Sequence, residues 1–473
     1  MKERSKKPKA TRPISLILTL LGLGVAGWYG NRFTHQEMNR SPAQTSALGV
    51  QDHHEVIQKY WNYRQKLFER FIHLKGGPGD GMVASQRDGG EAVFSDATVV
   101  LGWYLATLGT ELDLLKRLGK PTASNLLEIS HVLDAQDRLT ALGNQMDGIP
   151  GSDTGYFFRD DVDRSIIGKL PGTTTVRSDF LSSSEDPANW GFLNQMSQDQ
   201  AINMLLGYRM LAMSLDEKDS HAGKNLRTQM EKQVERIVRH LRGKGDWQIR
   251  FPGTRGRGSK TRRGPDARAF SEALADIGQA ILGKEAWKSK MKEIKPAWFS
   301  VPAFELMRVR GVPYPFWTQA MILILGSTGD VWGKSARKTL GNFARRTGLI
   351  LYPLLHAYVH DSKLKLKGGF LGMKDNGISQ TDFMELMKSA PAQGPNGSDK
   401  TQWCGPQRFY KSRHYWTCPV QYKEGDYWHF ENEEFPGFDY MFFHNLYLLH
   451  YNPEGIQSYG PTPGYEAALK AAQ

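Results

Sequence analysis

Apolar helix patterns and one-sided helix patterns alternate along this chain, and that alternation limits its folds more than any other feature. FSDATVVLGWYLATLGTELDLLKRLG (94–119) begins apolar on every side, and PTASNLLEISHVLDAQDRLTALGN (121–144) is apolar on one side only. SQDQAINMLLGYRMLAMSL (197–215) precedes the charged, amphipathic KNLRTQMEKQVERIVRHLRG (224–243), and PFWTQAMILILGSTG (315–329) precedes SARKTLGNFARRTGLILYPLLHAYVH (335–360). The last apolar stretch is FPGFDYMFFHNLYLLHYN (435–452), and 51–75 is amphipathic, with Val56/Ile57, Tyr60/Trp61, Leu67/Phe68 and Phe71/Ile72 at helical spacing. A helix apolar all round is buried on all sides, and one with a single apolar stripe covers a core. Strand-like alternation is scarce. The expected class is all-α, built of helical hairpins with an inner and an outer member.

Charge sets the outer limits of this body. The net charge of +12 is concentrated in two appendages: residues 1–12 carry +5 and 250–268 carry +6, which leaves the rest near neutral. A near-neutral body argues against a broad nucleic-acid surface. The basic segment 1–12 precedes 19 residues without charge, 13–31. That length approaches the roughly 20 apolar residues of a membrane span. The positive flank would stay in the cytoplasm. A cleaved signal peptide ending near Gly24 and Ala26 is the other reading, but Trp28 and Tyr29 suit an interfacial anchor. The expected organisation is a cytoplasmic tail (1–12), a signal-anchor (13–31), a polar tether (32–50), one helical domain (51–455) and a tail (456–473), with the main domain periplasmic or otherwise extracytoplasmic. The two cysteines, Cys404 and Cys418, read most simply as one disulfide in that oxidising compartment. A zinc site with His414 fits no standard spacing.

Several segments carry candidate chemistry. GYFFRDDVDR (155–164) sets Asp160, Asp161 and Asp163 behind a glycine and three aromatics, between Arg159 and Arg164. Ser95-Asp96, Ser197-Gln198-Asp199-Gln200 and Asp439 open three of the apolar stretches. Ser197-x-x-Gln200 is also a capping box, and acidic residues in a first turn favour the helix dipole. A capping role for Asp96 and Asp199 therefore stays open. A calcium site at Asp160, Asp161 and Asp163, or a solvated ion-pair turn, stays open for the loop. Segment 402–432 interleaves nine aromatics with Arg408, Lys411, Arg413, His414, Lys423 and His429. It reads as a lid whose rings stack on sugars and whose arginines pair with acidic groups, or as a lid that simply packs its rings. His356 and His360 are read as ordinary helix histidines. No Walker loop, G-x-G-x-x-G or G-x-S-x-G is present, which argues against nucleotide-dependent chemistry and the common serine-hydrolase plan. Segment 250–268 reads as a solvated insertion or an anion-attracting loop.

The alternation, together with SDATVVLGWYLATL, LDAQDRL, GYFFRDDV, MSQDQ and FPGFDYMFFHNLYLL, resembles the α/α toroid of six-hairpin glycosidases and related polysaccharide lyases, over about residues 90–450. The resemblance implies parallel inner helices with their N-termini gathered at the mouth of a pocket, and GYFFRDDVDR lying over that mouth. It implies a carbohydrate-active protein, a glycoside hydrolase foremost, with a polysaccharide or oligosaccharide as substrate. A hydrolase needs an acid and a second carboxylate flanking the glycosidic oxygen. The expected catalytic set is Asp161 as acid and Asp199 as its partner, with Asp160 and Asp96 as substitutes. Arg159, Trp190, Arg413, Trp416, Trp428, Asp439, Tyr440 and His444 are the expected substrate contacts. The expectation includes no cofactor. A lyase would use Tyr415 or Tyr440 with His414 or His444 and an arginine. A non-catalytic glycan-binding or envelope-assembly protein is the remaining expectation.

Overall fold

The computed structural model describes residues 50–146, 154–184, 196–242, 433–451 and 458–473, with short pieces between 249 and 390. The expected anchor, the insertion 250–268, the stretch 315–329 and the lid 402–432 with its two cysteines lie outside the described residues. Helix makes up 64% of what is described. The helices are α1 (Val50–Arg70), α2 (Ala97–Arg117), α3 (Ala123–Met146), the short α4 (Asp179–Ser184), α5 (Gln198–Ser214), α6 (Leu226–Arg242), α7 (Phe438–Tyr451) and α8 (Pro463–Ala472).

The inner and outer roles follow the hydrophobic pattern. In α2 every residue is buried except Asp113, Lys116 and Arg117. In α7 burial is continuous from Phe438 to Leu449. By contrast, α6 buries Leu226, Met230, Gln233, Val234, Ile237, Val238 and Leu241, a single stripe at helical spacing.

Helix directions can be read from the contacts. A Cβ on Gly102 would lie 2.1 Å from the Asn203 carbonyl oxygen, and one on Gly109 would lie 2.7 Å from the Leu211 nitrogen. The two chains thus advance together, and α2 and α5 run parallel with their backbones nearly touching. Only glycine permits that approach. The Phe438 ring packs 5.4 Å from Tyr104, and further along Asn445 Nδ2 donates to the Thr107 carbonyl at 3.3 Å, so α7 is parallel to α2 as well. The outer helices run the other way. Asn125 donates to Glu111 at 2.9 Å and Tyr104 donates to Glu128, which sets α3 antiparallel to α2. Tyr208 donates to Gln233 at 2.8 Å, and Arg227 donates to the Ala212 carbonyl at 2.9 Å, which sets α6 antiparallel to α5. The N-termini of α2, α5 and α7 therefore share one end.

A small sheet that the sequence reading did not foresee sits at that end. Its strands β1 (Gln86–Asp88), β2 (Glu91–Val93), β3 (Thr175–Arg177) and β6 (Glu433–Glu434) are ordered β3-β2-β1-β6. A separate hairpin pairs β4 (Ser220–His221) with β5 (Lys224–Asn225). Strands of two or three residues are too short to show an alternating pattern. The segment expected to be a tail also differs. Thr462 caps α8, Pro463 stands in its first turn, and Tyr465, Leu469 and Ala472 are buried. Leu74 N–H donates to the Ala472 carbonyl at 2.7 Å.

Between α1, α2, α3, α7 and α8 lies a dry polar network. Arg64 binds Glu111 at 2.9 Å and Glu128 at 2.6 Å. Tyr60 donates to Glu111, while Tyr104 and Tyr465 donate to Glu128. All six side chains are buried. Burial pushes the Glu128 carboxyl above its ordinary range, opposed by Arg64 and reinforced by Glu111.

Candidate functional site

Two parallel strands deliver two aspartates to the same place. In the pairing of β2 with β3, Val93 stands opposite Arg177, and Phe94 N–H extends the ladder to the Arg177 carbonyl at 2.7 Å. The chain then turns at Ser95-Asp96 on one side and Ser178-Asp179 on the other. Asp96 stands at the N-cap of α2 with φ 53 and ψ 33, the left-handed region that few non-glycine residues adopt, and its side chain does not cap the helix. The carboxylate instead accepts from Arg159 Nη1 at 3.0 Å and from Gln200 Nε2 at 3.2 Å, both at Oδ1. Asp179 Oδ2 lies 3.5 Å from the same Arg159 nitrogen and accepts the Asp96 backbone N–H at 3.3 Å. The two oxygens on Arg159 are therefore no further apart than the sum of those two contacts.

This cluster is partly open to water. The side chains of Asp96, Asp179 and Arg159 are 24%, 18% and 24% exposed. Burial pushes the Asp179 carboxyl above its ordinary range; the Asp96 charge adds to that, and Arg159 opposes it. A carboxyl that holds its proton longer stands beside a second carboxylate fixed by two donors. Chemically, the arrangement can give a proton from one group while the other accepts one or attacks.

The loop Gly155–Arg164 supports this cluster, and each of its charges goes a different way. Gly155 has φ 72, and a Cβ there would lie 2.0 Å from the Arg236 carbonyl, so the glycine is required by both backbone and space. Tyr156, Phe157 and Phe158 are buried in the core. Arg159 reaches the two aspartates. Asp160 is fully buried and accepts backbone N–H groups of Val162 (3.1 Å), Asp179 (2.9 Å) and Phe180 (3.3 Å). It thus holds the turn that carries Asp179. Burial, with Asp179 nearby, pushes the Asp160 carboxyl well up, against the pull of the N–H donors. Asp161 accepts from Arg138 Nε of α3 at 2.8 Å and from Gly79 N–H at 3.1 Å, which ties the loop to α3 and to the glycine-rich turn 76–81. Asp163 caps the turn Arg164–Ile166 through Ser165 N–H at 2.8 Å.

These positions revise the expected set. Asp160 and Asp161 do not point into a cleft, because their oxygens are taken up inside the protein. The oxygens of Asp160, Asp161 and Asp163 are engaged in three different directions, and among the described residues no group of three or more acidic, histidine or cysteine side chains is arranged to hold a metal. Asp199 lies in the first turn of α5, and its side chain is not among those described. Asp439, Tyr440 and His444 are fully buried in the packing of α7. The Tyr440 hydroxyl donates to the Val56 carbonyl at 3.1 Å. His444 stacks on Tyr60 at 4.6 Å, and burial lowers it to about 3, so it is neutral. Neither side chain is exposed in this packing, so the expected contacts and the lyase pair do not stand open at these two residues. Trp190, Arg413, His414, Tyr415, Trp416, Trp428, Cys404 and Cys418 lie outside the described residues. Of the expected site residues, the catalytic candidate Asp96 and the substrate-contact candidate Arg159 meet.

Sequence reasoning missed Asp179, Arg138 and the role of Gln200 beyond its cap. A signal for Asp179 was present: Ser-Asp follows a short β-prone run twice, as AVFSD and TVRSD. The capping box at Ser197 was legible, and Gln200 Oε1 does accept the Ser197 N–H at 3.0 Å.

Comparisons of the chain with protein-family models, with curated proteins and with solved structures find no match.

Proposed function

We propose that this protein is a membrane-anchored, extracytoplasmic glycoside hydrolase built on an α/α toroid, with Asp179 as general acid and Asp96 as the base or nucleophile. The observation that carries this reading is the pair itself: two partly exposed carboxylates in unequal surroundings, bridged by Arg159, where the parallel inner helices begin. The two oxygens that share Arg159 lie no further apart than the ~5–10 Å over which the two carboxyl groups of a glycosidase act. Inner helices that run parallel, with antiparallel outer partners, support the toroid. The uncharged stretch 13–31 behind a basic tail supports the anchor. Among the described residues no helix is long and apolar enough to cross a membrane, and 13–31 is not one of them.

The test is product release by the full chain, held in detergent, over a panel of neutral and acidic polysaccharides, with Asp179→Asn alongside. New reducing ends that fall about a hundredfold or more in the variant establish the hydrolase and its acid. Products absorbing in the ultraviolet through new double bonds make it a lyase. A silent panel with glycan binding retained makes it a binding protein.

A further inference from the structure

The geometry points to Gln200 as the residue that positions Asp96, acting from the neighbouring inner helix through the same amide that closes the α5 capping box. This inference rests on the pair proposed above. Gln200 is fully buried. Its Oε1 accepts the Ser197 backbone N–H at 3.0 Å, and its Nε2 donates to Asp96 Oδ1 at 3.2 Å. The N–H donor fixes the sense of the amide. A reversed amide would set NH2 against N–H and oxygen against carboxylate, and lose both bonds. Asp96 has no helical backbone to hold it, since it sits in the left-handed region and does not cap its own helix. A left-handed aspartate is retained where the surroundings over-determine it. Here Arg159 and Gln200 fix the carboxylate, and Asp179 fixes the backbone N–H. Because Gly102 and Gly109 let α2 and α5 meet backbone to backbone, the first turn of α5 is a rigid support for the start of α2. Gln200 is a positioning residue: it aims and holds a carboxylate that meets the substrate, and is not itself a catalytic residue.

Gln200→Glu separates this role from the cap. Glutamate at this place keeps an oxygen for the Ser197 N–H, so the capping box survives. It replaces the amide donor with a carboxyl that donates to Asp96 only while it holds its own proton, and repels Asp96 once that proton is lost. Arg159 and Asp179 are charged groups that face Asp96. With a third carboxylate there, charge on Asp96 is opposed. The expected result on the polysaccharide that yields reducing ends is a kcat at least tenfold lower at neutral pH, KM changed much less, and an acid limb of the pH profile moved to higher pH. A profile that stays where it is in Gln200→Glu overturns the inference.

A second readout needs no activity. In Asp96→Asn/Gln200→Glu the new amide donates to the new carboxylate, and the pair is restored with its roles exchanged. The double variant is expected to melt above Gln200→Glu alone at pH 7, a non-additive effect of contacting residues. Additive melting temperatures overturn the contact. A silent substrate panel with a non-additive cycle removes the hydrolase reading and the catalytic purpose of Gln200, and leaves its hold on Asp96.

Discussion

Two places in this molecule bring two carboxylates to one arginine. In the first, Glu111 and Glu128 meet Arg64, and all three side chains are 0–1% exposed. In the second, Asp96 and Asp179 meet Arg159, each about one-fifth exposed. The two glutamates of the dry triad also accept from Tyr60, Tyr104, Tyr465 and Asn125, four donors from four helices. The wet one is held by the buried Gln200 amide and the Asp96 backbone N–H, and it lies where three helices begin. Equal composition thus serves two ends. Complete burial makes a structural joint, because any ligand would have to replace bonds that cannot be regained from solvent. Partial exposure with unequal surroundings leaves one carboxyl able to exchange its proton.

Substitution of each arginine breaks the comparison most directly. Arg64→Met leaves two buried glutamates without their cation and is expected to cost about 3–5 kcal/mol, read from denaturant unfolding. Cooperative unfolding at the wild-type midpoint would show that the dry triad carries no load. Acid sharpens the same contrast. His444 stacks inside the dry region and is lowered to about 3, while an unfolded histidine titrates near 6.5. Between those values the unfolded chain binds a proton that the folded chain refuses. Stability is therefore whole above pH ~6.5 and falls as pH drops toward 3, by up to roughly 4 kcal/mol. Thermal melts across that range should flatten in His444→Phe.

Smaller effects test the donors one at a time. Tyr465→Phe removes one hydroxyl from Glu128 and should cost about 1–2 kcal/mol, with the far-ultraviolet spectrum unchanged. Such a loss would mark α8 as part of the fold, whereas an unchanged midpoint would return it to the status of a tail. Arg159→Met should cost no more than about 1 kcal/mol in the same assay, since partly exposed pairs contribute little. On the proposed reading it should nonetheless abolish most hydrolysis. A large loss of stability there would make the wet cluster a second structural joint and remove its claim to chemistry.

The helix plan was legible in the residues because it depends on period. Apolar on all sides against apolar on one side placed α2, α3, α5, α6 and α7 within a few residues of their observed bounds, and Ser197 with Gln200 announced the start of α5. GYFFRDDVDR was also marked as dense in charge. Its internal pairing was not legible, since Arg159, Asp160 and Asp161 each bind a partner far along the chain: Asp96, Asp179 and Arg138.

The local pattern of this sequence determined which segments are helices and which faces are buried, because hydrophobic period is written residue by residue. Only the tertiary structure decided which carboxylates meet. Two three-residue strands, paired in parallel across more than eighty residues, set Asp96 beside Asp179. Glycines at one helix contact brought Gln200 to them. Coulomb energy and burial depend on distance in space, and distances of a few ångströms between remote residues exist only once the chain has closed on itself.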